Sequence, residues 1–122
     1  MLGYTCVGTN DLPKALTYYE TLLAEHNPNM VMEDPGRMRI YSNGQGGMLM
    51  VTKPADGGEA TVGNGCMIAI PGGSREGVDA LYKKAMDLGS ADEGGPGERM
   101  PGFYGAYFRD LDGNKICAFH MG

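Results

Sequence analysis

The sequence predicts an α+β fold made of two βαβββ modules. Each half of the chain has a short apolar strand, then one amphipathic helical segment, then further short strands. Turns rich in glycine and proline separate these segments. The modules extend over about residues 1–53 and 64–122 of a single domain, and a glycine-rich linker at about 54–63 joins them.

In the first module, the predicted strand lies within Leu2–Thr9. Asn10 and Asp11 suit a helix N-cap and Pro13 suits the first turn, which predicts a helix near residues 12–25. Its apolar residues recur at spacings of three and four and form one stripe. Three short strands are predicted after it, at Met30–Met32, Met38–Tyr41 and Met48–Thr52.

The second module repeats this order. Cys66–Ile70 predicts a strand, Ser74 caps a helix near residues 74–88, and Gly89 stands where a C-terminal cap belongs. The segment Ser90–Gly102 is rich in glycine, proline and acidic residues. It is predicted to hold at most one short strand, around Glu98–Met100.

The segment Phe103–Met121 predicts a β-hairpin. The turn Asp110–Asn114 consists mostly of residues that tolerate the positive φ of tight turns. Alternation along the second strand places Lys115, Cys117 and Phe119 on one face and the intervening apolar residues on the other.

Composition excludes several classes of function. The net charge of −5 argues against a nucleic-acid surface, which requires a basic patch. No apolar run approaches the roughly 20 residues of a membrane span, and no export signal is recognisable. Three widely spaced cysteines suit free thiols in a reducing compartment, so a cytoplasmic protein is predicted.

Three segments together resemble the vicinal oxygen chelate superfamily, which contains glyoxalase I, bleomycin resistance proteins and extradiol dioxygenases. They are NDLPKALTYYETLL, GNGCMIAI with SREGVDALYKKAMDLG, and FYGAYFRDLDGNKICAF. The resemblance covers nearly the whole chain. It implies that the two modules form an open, cup-like barrel, the glyoxalase/bleomycin resistance/dioxygenase fold, around a ligand or metal. It also implies a homodimer, which would bury exposed strand edges.

Metal-dependent members of this superfamily hold their ion with His, Gln or Glu from the first and last strands of each module. The resemblance carries these positions onto Tyr4, Met67 and Cys117, and the strand within 47–52 has no His, Glu or Asp. Phenol, thioether and thiol groups do not suit a hard or borderline divalent ion, although a soft ion such as Cu(I) accepts sulfur. Core packing is the alternative role for the methionine and cysteine. The expectation is therefore a protein without metal or other cofactor.

The resemblance also implies a set of residues that line the ligand cavity. These candidates are Tyr4, Cys6, Met48, Met50, Met67, Tyr104, Cys117 and Phe119. The alternative is that they fill a closed core. Arg99 and Arg109 are the cationic residues closest to these candidates, and each either orients an anionic ligand or forms a surface salt bridge. The acidic net charge of the chain by itself favours a cationic ligand.

The leading functional prediction is a metal-free protein that binds small molecules, similar to drug-sequestering members of the superfamily. The alternative is an enzyme, a glyoxalase-type lyase resembling lactoylglutathione lyase or a dioxygenase, with a metal site that the family pattern does not reveal. A non-catalytic dimeric or structural module is a third possibility. No nucleophile, base and acid can be assigned from the sequence, so catalytic residues are not predicted.

Overall fold

The computed structural model describes residues 1–122, which divide into two compact units, Met1–Val62 and Gly63–Gly122. Each unit contains a strand, an α-helix and three further strands, so the predicted βαβββ order is confirmed in both halves. Neither α-helix has the length and apolar character needed to cross a membrane.

The first unit consists of one four-stranded sheet and one helix. Its elements are β1 (Thr5–Gly8), α1 (Leu12–Leu22), a 3₁₀ turn (Ala24–His26), β2 (Asn29–Asp34), β3 (Met38–Ser42) and β4 (Leu49–Thr52). The strand order is β1-β4-β3-β2, with β1 parallel to β4 and the other pairs antiparallel. The helix ends before the predicted residue 25 because the backbone tightens into the 3₁₀ turn and then enters the left-handed region at Asn27, with φ 54°.

A polar network fastens α1 to its sheet. The phenol of Tyr41 on β3 donates to Glu20 Oε2 on α1 at 2.5 Å, and Arg39 donates to the same oxygen at 2.6 Å. The hydrogen bond from Tyr41 lowers the pKa of Glu20, while burial and that same bond raise the pKa of Tyr41. The network therefore holds the carboxylate charged and the phenol neutral at pH 7.

The second unit has the same composition of elements. They are β5 (Ile68–Pro71), α2 (Arg75–Asp87), β6 (Ala91–Met100), β7 (Phe103–Arg109) and β8 (Lys115–Met121), with the strand order β5-β8-β7-β6. The prediction of at most one short strand in 90–102 is wrong, since β6 has ten residues. Its backbone pairs with β7 despite weak strand propensity, and the register shifts at the glycines absorb the irregularity.

The predicted hairpin is confirmed, and its turn is held by one carboxylate. Asp110 Oδ1 accepts from the backbone N–H groups of Asp112 at 2.9 Å and Asn114 at 2.8 Å, and Oδ2 accepts from the Asn114 side chain at 2.9 Å. This turn fixes the register in which Arg109 pairs with Lys115. Every later pair of β7 and β8 follows from it.

Helix α2 packs on one face of this second sheet. The contacting residues are almost completely buried: Val78, Leu81, Ala85, Ala106, Phe108, Ile116 and Ala118. Since side chains alternate along a strand, the odd-numbered residues of β7 and β8 lie on the opposite face.

Candidate ligand-binding site

The face of the second sheet opposite α2 carries thiol, phenol and phenyl side chains close together. In the strand register, Cys117 is paired with Tyr107, and Phe119 is paired with Gly105. We call this surface the Cys117 face and define it by Phe103, Gly105, Tyr107, Cys117 and Phe119. These rows continue with Ala69 and Pro71 on β5 and with Gly94 and Gly97 on β6, so the outer strands add only small side chains there.

Aromatic rings gather at one end of the Cys117 face. Phe103 and Phe119 stack with their ring centroids 5.9 Å apart and their planes 4° from parallel. Gly105 lies beneath the rings, because a Cβ built there would lie 3.1 Å from the Phe103 ring and 3.6 Å from the Tyr107 phenol oxygen. The absent side chain thus leaves room for three rings to converge, and their half-buried surfaces suit a flat apolar ligand.

The phenol of Tyr107 and the thiol of Cys117 form a neutral polar pair at the centre of this face. Burial raises the pKa of Cys117 most strongly, and a hydrogen bond from Tyr107 only partly opposes this effect. Burial likewise raises the pKa of Tyr107, with the neighbouring sulfur adding to the shift. The Cys117 thiol also lies 3.7 Å from the Ala118 carbonyl oxygen, to which it donates. Cys117 is therefore a protonated, buried thiol, the opposite of a reactive nucleophile.

Two cations lie against the Tyr107 ring. The guanidinium carbon of Arg99 is 5.3 Å from the ring centroid, and Nζ of Lys115 is 5.7 Å from it. The positive charges of both cations act to lower the pKa of Cys117, so both lie close enough to its thiol to interact with it. Arg109, by contrast, forms an ion pair with Glu93 at 2.8 Å and donates to the Gly113 carbonyl at 3.1 Å.

The bulged, glycine-rich course of β6 makes room for Arg99. A Cβ at Gly97 would lie 2.8 Å from Arg99 Nη1, and one at Gly94 would lie 3.2 Å from Nη2. The guanidinium folds back over these glycines and donates from Nη2 to the Gly95 carbonyl at 2.5 Å. The segment that was predicted to hold at most one short strand thus supports a cation in a defined position.

The first unit brings two of the other predicted cavity residues together. Cys6 on β1 is paired with Met50 on β4, and the Cys6 sulfur lies 3.6 Å from the Met50 sulfur. Tyr4 and Met48 each stand one residue before these strands, and both side chains are exposed. These four candidates therefore lie at one end of the β1–β4 pair, where the chemistry is apolar and soft.

Tyr104 does not belong with Cys117 and Phe119, so the prediction that it lines the same cavity is wrong. It is paired with His120, and its phenol donates to Asp79 Oδ1 of α2 at 2.7 Å. Tyr104 therefore lies on the face that α2 covers. Met67 precedes β5 by one residue and is half exposed.

Sequence reasoning missed Tyr107 and Lys115 as members of the site and left Arg99 undecided. The signal for Tyr107 was present: counting back equally from both ends of the Asp110–Asn114 turn pairs residue 107 with Cys117. No local signal locates Arg99, because its position depends on how the irregular strand β6 pairs with β7.

The chain belongs to the Glyoxalase/Bleomycin resistance protein/Dioxygenase superfamily, whose family model matches residues 1–118. A search of curated proteins gives no match. Among solved structures, a glyoxalase/bleomycin resistance protein from Albidiferax ferrireducens is 34% identical, with a TM-score of 0.90 over 100% of this chain and 99% of that one.

Two more distant structures show the fold alone. The lactoylglutathione lyase from Agrobacterium tumefaciens is 21% identical, with a TM-score of 0.73 over 98% of this chain and 92% of that one. A glyoxalase/bleomycin resistance protein/dioxygenase family enzyme from Burkholderia phytofirmans is 17% identical, with a TM-score of 0.79 over 98% of both chains. Together with the closer match, they confirm the predicted α+β fold class.

The side chains at the positions implied for a metal do not fit a hard or borderline divalent ion. Met67 offers an uncharged thioether, and the raised pKa of Cys117 keeps its thiol protonated at neutral pH. Tyr4 offers a phenol, which is not among the ligands that such ions usually take in proteins. No three His, Cys, Asp or Glu side chains cluster in a way that could hold an ion. We therefore derive no reaction step through a metal.

Proposed function

We propose that this protein binds a small organic molecule without a metal ion and that the Cys117 face is its principal binding surface. The observation that carries the proposal is the buried, protonated thiol of Cys117, paired across the strands with the Tyr107 phenol, at a position where the resemblance implies a His, Gln or Glu ligand in metal-dependent relatives. The stacked Phe103 and Phe119 rings beside that pair offer contact area for a flat ligand.

The residues of the first unit support the same proposal. Cys6, Met50, Met48 and Tyr4 add soft, adaptable side chains, and methionine suits irregular ligands because its side chain is flexible and polarizable. We propose these four as candidate ligand contacts within the first unit, and Met67 as a further candidate within the second. Their chemistry favours packing against carbon and sulfur over coordination of a hard ion.

We further propose a cytoplasmic homodimer. Strand β2 is an edge strand whose Met30, Val31 and Met32 are about half exposed, and such edges are commonly covered by association. The three cysteines form no disulfide, in keeping with a reducing compartment. Sedimentation at micromolar concentration tests the dimer, and a species of 13.0 kDa would contradict it.

The binding proposal is tested by screening drug-sized organic molecules for an increase in the thermal midpoint of the full chain. A ligand at 100 times its Kd should add about 2.7 kcal/mol to the free energy of unfolding. Phe119→Ala should abolish the increase because it removes half of the ring stack. Tyr104→Phe, on the opposite face of the sheet, serves as the matched control and should retain it.

Metal analysis separates this proposal from the enzymatic alternative. Protein purified without chelator should contain no stoichiometric Zn, Ni, Fe or Mn, and chelator should leave the thermal midpoint unchanged. One equivalent of such a metal, together with a midpoint that falls on chelation and recovers on addition of metal, would favour a lyase or dioxygenase and overturn the proposal.

A further inference from the structure

The Cys117 face carries positive charge that nothing within the unit neutralises. Arg99 and Lys115 both lie within 6 Å of the Tyr107 ring centroid, and neither contacts a carboxylate. The acidic side chains of β6 have other partners: Glu98 pairs with Arg75 at 2.8 Å, Glu93 pairs with Arg109 at 2.8 Å, and Asp92 accepts from the Tyr82 phenol at 2.9 Å. The local charge is thus opposite in sign to the net charge of −5 of the whole chain.

Arg99 differs from the other arginines of the protein. The other four each form an ion pair with a carboxylate, namely Arg37 with Asp34, Arg39 with Glu20 and Glu33, Arg75 with Glu98, and Arg109 with Glu93. Arg99 instead donates to a backbone carbonyl, so its orientation is set while its charge stays uncompensated. A planar guanidinium with free N–H groups is well suited to bind a carboxylate or phosphate.

We infer that the ligand of the Cys117 face is an aromatic oxyanion, a flat apolar ring that carries a carboxylate or a similar group. Its charged group would lie between Arg99 and Lys115, and its ring would pack against Phe103 and Phe119. This inference rests on the proposed function and deepens it by naming the class of ligand.

The charges close to the Cys117 face affect the preferred charge of the ligand more than the net charge of the chain does. At physiological ionic strength the Debye length is about 8 Å, so acidic side chains elsewhere on the surface are largely screened from a ligand on this face. Arg99 and Lys115 lie within that distance of the proposed ligand, since both are within 6 Å of the Tyr107 ring centroid. A cationic ligand, which the net charge alone favours, would meet two like charges here.

Three ligands with the same naphthalene ring and different charge test the inference by isothermal titration calorimetry on the full chain. They are 2-naphthoate, the neutral 2-naphthamide and the cationic 2-naphthylmethylammonium. We expect 2-naphthoate to bind at least about tenfold more tightly than 2-naphthamide, a difference of about 1.4 kcal/mol. The cation should bind most weakly, and added NaCl should reduce the preference for the anion.

Variants that each remove one positive charge test which residues cause the preference for the anion. Arg99→Gln and Lys115→Gln should each weaken 2-naphthoate about tenfold and weaken 2-naphthamide much less, because only the anion forms charge-assisted hydrogen bonds with these cations. Arg75→Gln is the matched control. Arg75 also lies over a tyrosine, 4.9 Å from the Tyr104 ring centroid, but on the face that α2 covers.

The outcomes distinguish the inference from the function on which it rests. Equal affinity for the three ligands, tighter binding of the cation, or no effect of Arg99→Gln would overturn the anionic class and leave small-molecule binding intact. Failure of 2-naphthoate to bind at millimolar concentration would also overturn the inference. The proposed function itself fails if the broad screen finds no ligand that depends on Phe119, or if the protein carries one equivalent of a metal whose removal lowers the thermal midpoint.

Discussion

Replacing Gly77 by alanine should destabilise the protein, although the same change in most helices is stabilising. Gly77 is the third residue of α2, and alanine in a helix interior is ordinarily favoured over glycine by about 1 kcal/mol. At this position a Cβ would lie 2.0 Å from the Gly72 carbonyl oxygen and 2.8 Å from its carbonyl carbon. The glycines thus allow the turn after β5 to pack directly against the first turn of α2.

The size of the loss in stability depends on how far the Gly72 carbonyl group would have to move. Ordinary contact begins at 3.4 Å, so the carbonyl would have to retreat by about 1.4 Å from its present 2.0 Å. Gly72 has little freedom to do so, because its N–H donates to the Phe119 carbonyl at 2.8 Å. Overpacking costs about 1–3 kcal/mol and a lost hydrogen bond about 1 kcal/mol more, which outweighs the gain in helix propensity.

We therefore expect Gly77→Ala to lower the free energy of unfolding by about 2 kcal/mol and the thermal midpoint by about 8 °C. Urea denaturation followed by circular dichroism measures the first quantity, and thermal unfolding measures the second. Gly3→Ala is the control, since a Cβ there meets nothing within 4 Å and should change stability little. A Gly77→Ala variant as stable as the wild type, or more so, would refute the reasoning.

Three further predictions concern the thiols, the α1 network and the hairpin turn. A thiol reagent should modify the exposed Cys6 and Cys66 at least about 100 times faster than the buried Cys117, whose pKa is raised, and three equal rates would contradict this. Tyr41→Phe should lower the free energy of unfolding by about 1 kcal/mol at pH 7, measured in urea. Because the folded state raises the pKa of Tyr41, wild-type stability should fall above about pH 10, where the unfolded phenol ionises first, and the variant should show a smaller fall. Asp110→Ala should cost about 2 kcal/mol in the same assay by removing the acceptor for three donors, and Asp110→Asn, which keeps one acceptor oxygen, should cost less.

The order of elements and the alternation of β8 could be predicted from the sequence because both depend on local rules. Helix caps at Asp11 and Ser74 and the three- and four-residue spacings define α1 and α2 without reference to the rest of the chain. Period-two alternation likewise places Lys115, Cys117 and Phe119 on one face. The chemical types at the implied metal positions are also a property of the sequence alone.

Tertiary structure decided which face of the hairpin is covered and what its neighbours are. Strand β7 carries two aromatic residues on each face, so alternation alone could not tell which of the two faces α2 covers. Packing of α2 on Ala106 and Phe108 leaves Tyr107 and Cys117 together on the opposite face. The position of Arg99 required the bulged pairing of β6, whose glycines carry no side-chain pattern that local reasoning could use. Local sequence fixes the alternation of a strand, whereas contacts between distant segments determine the surroundings of each face.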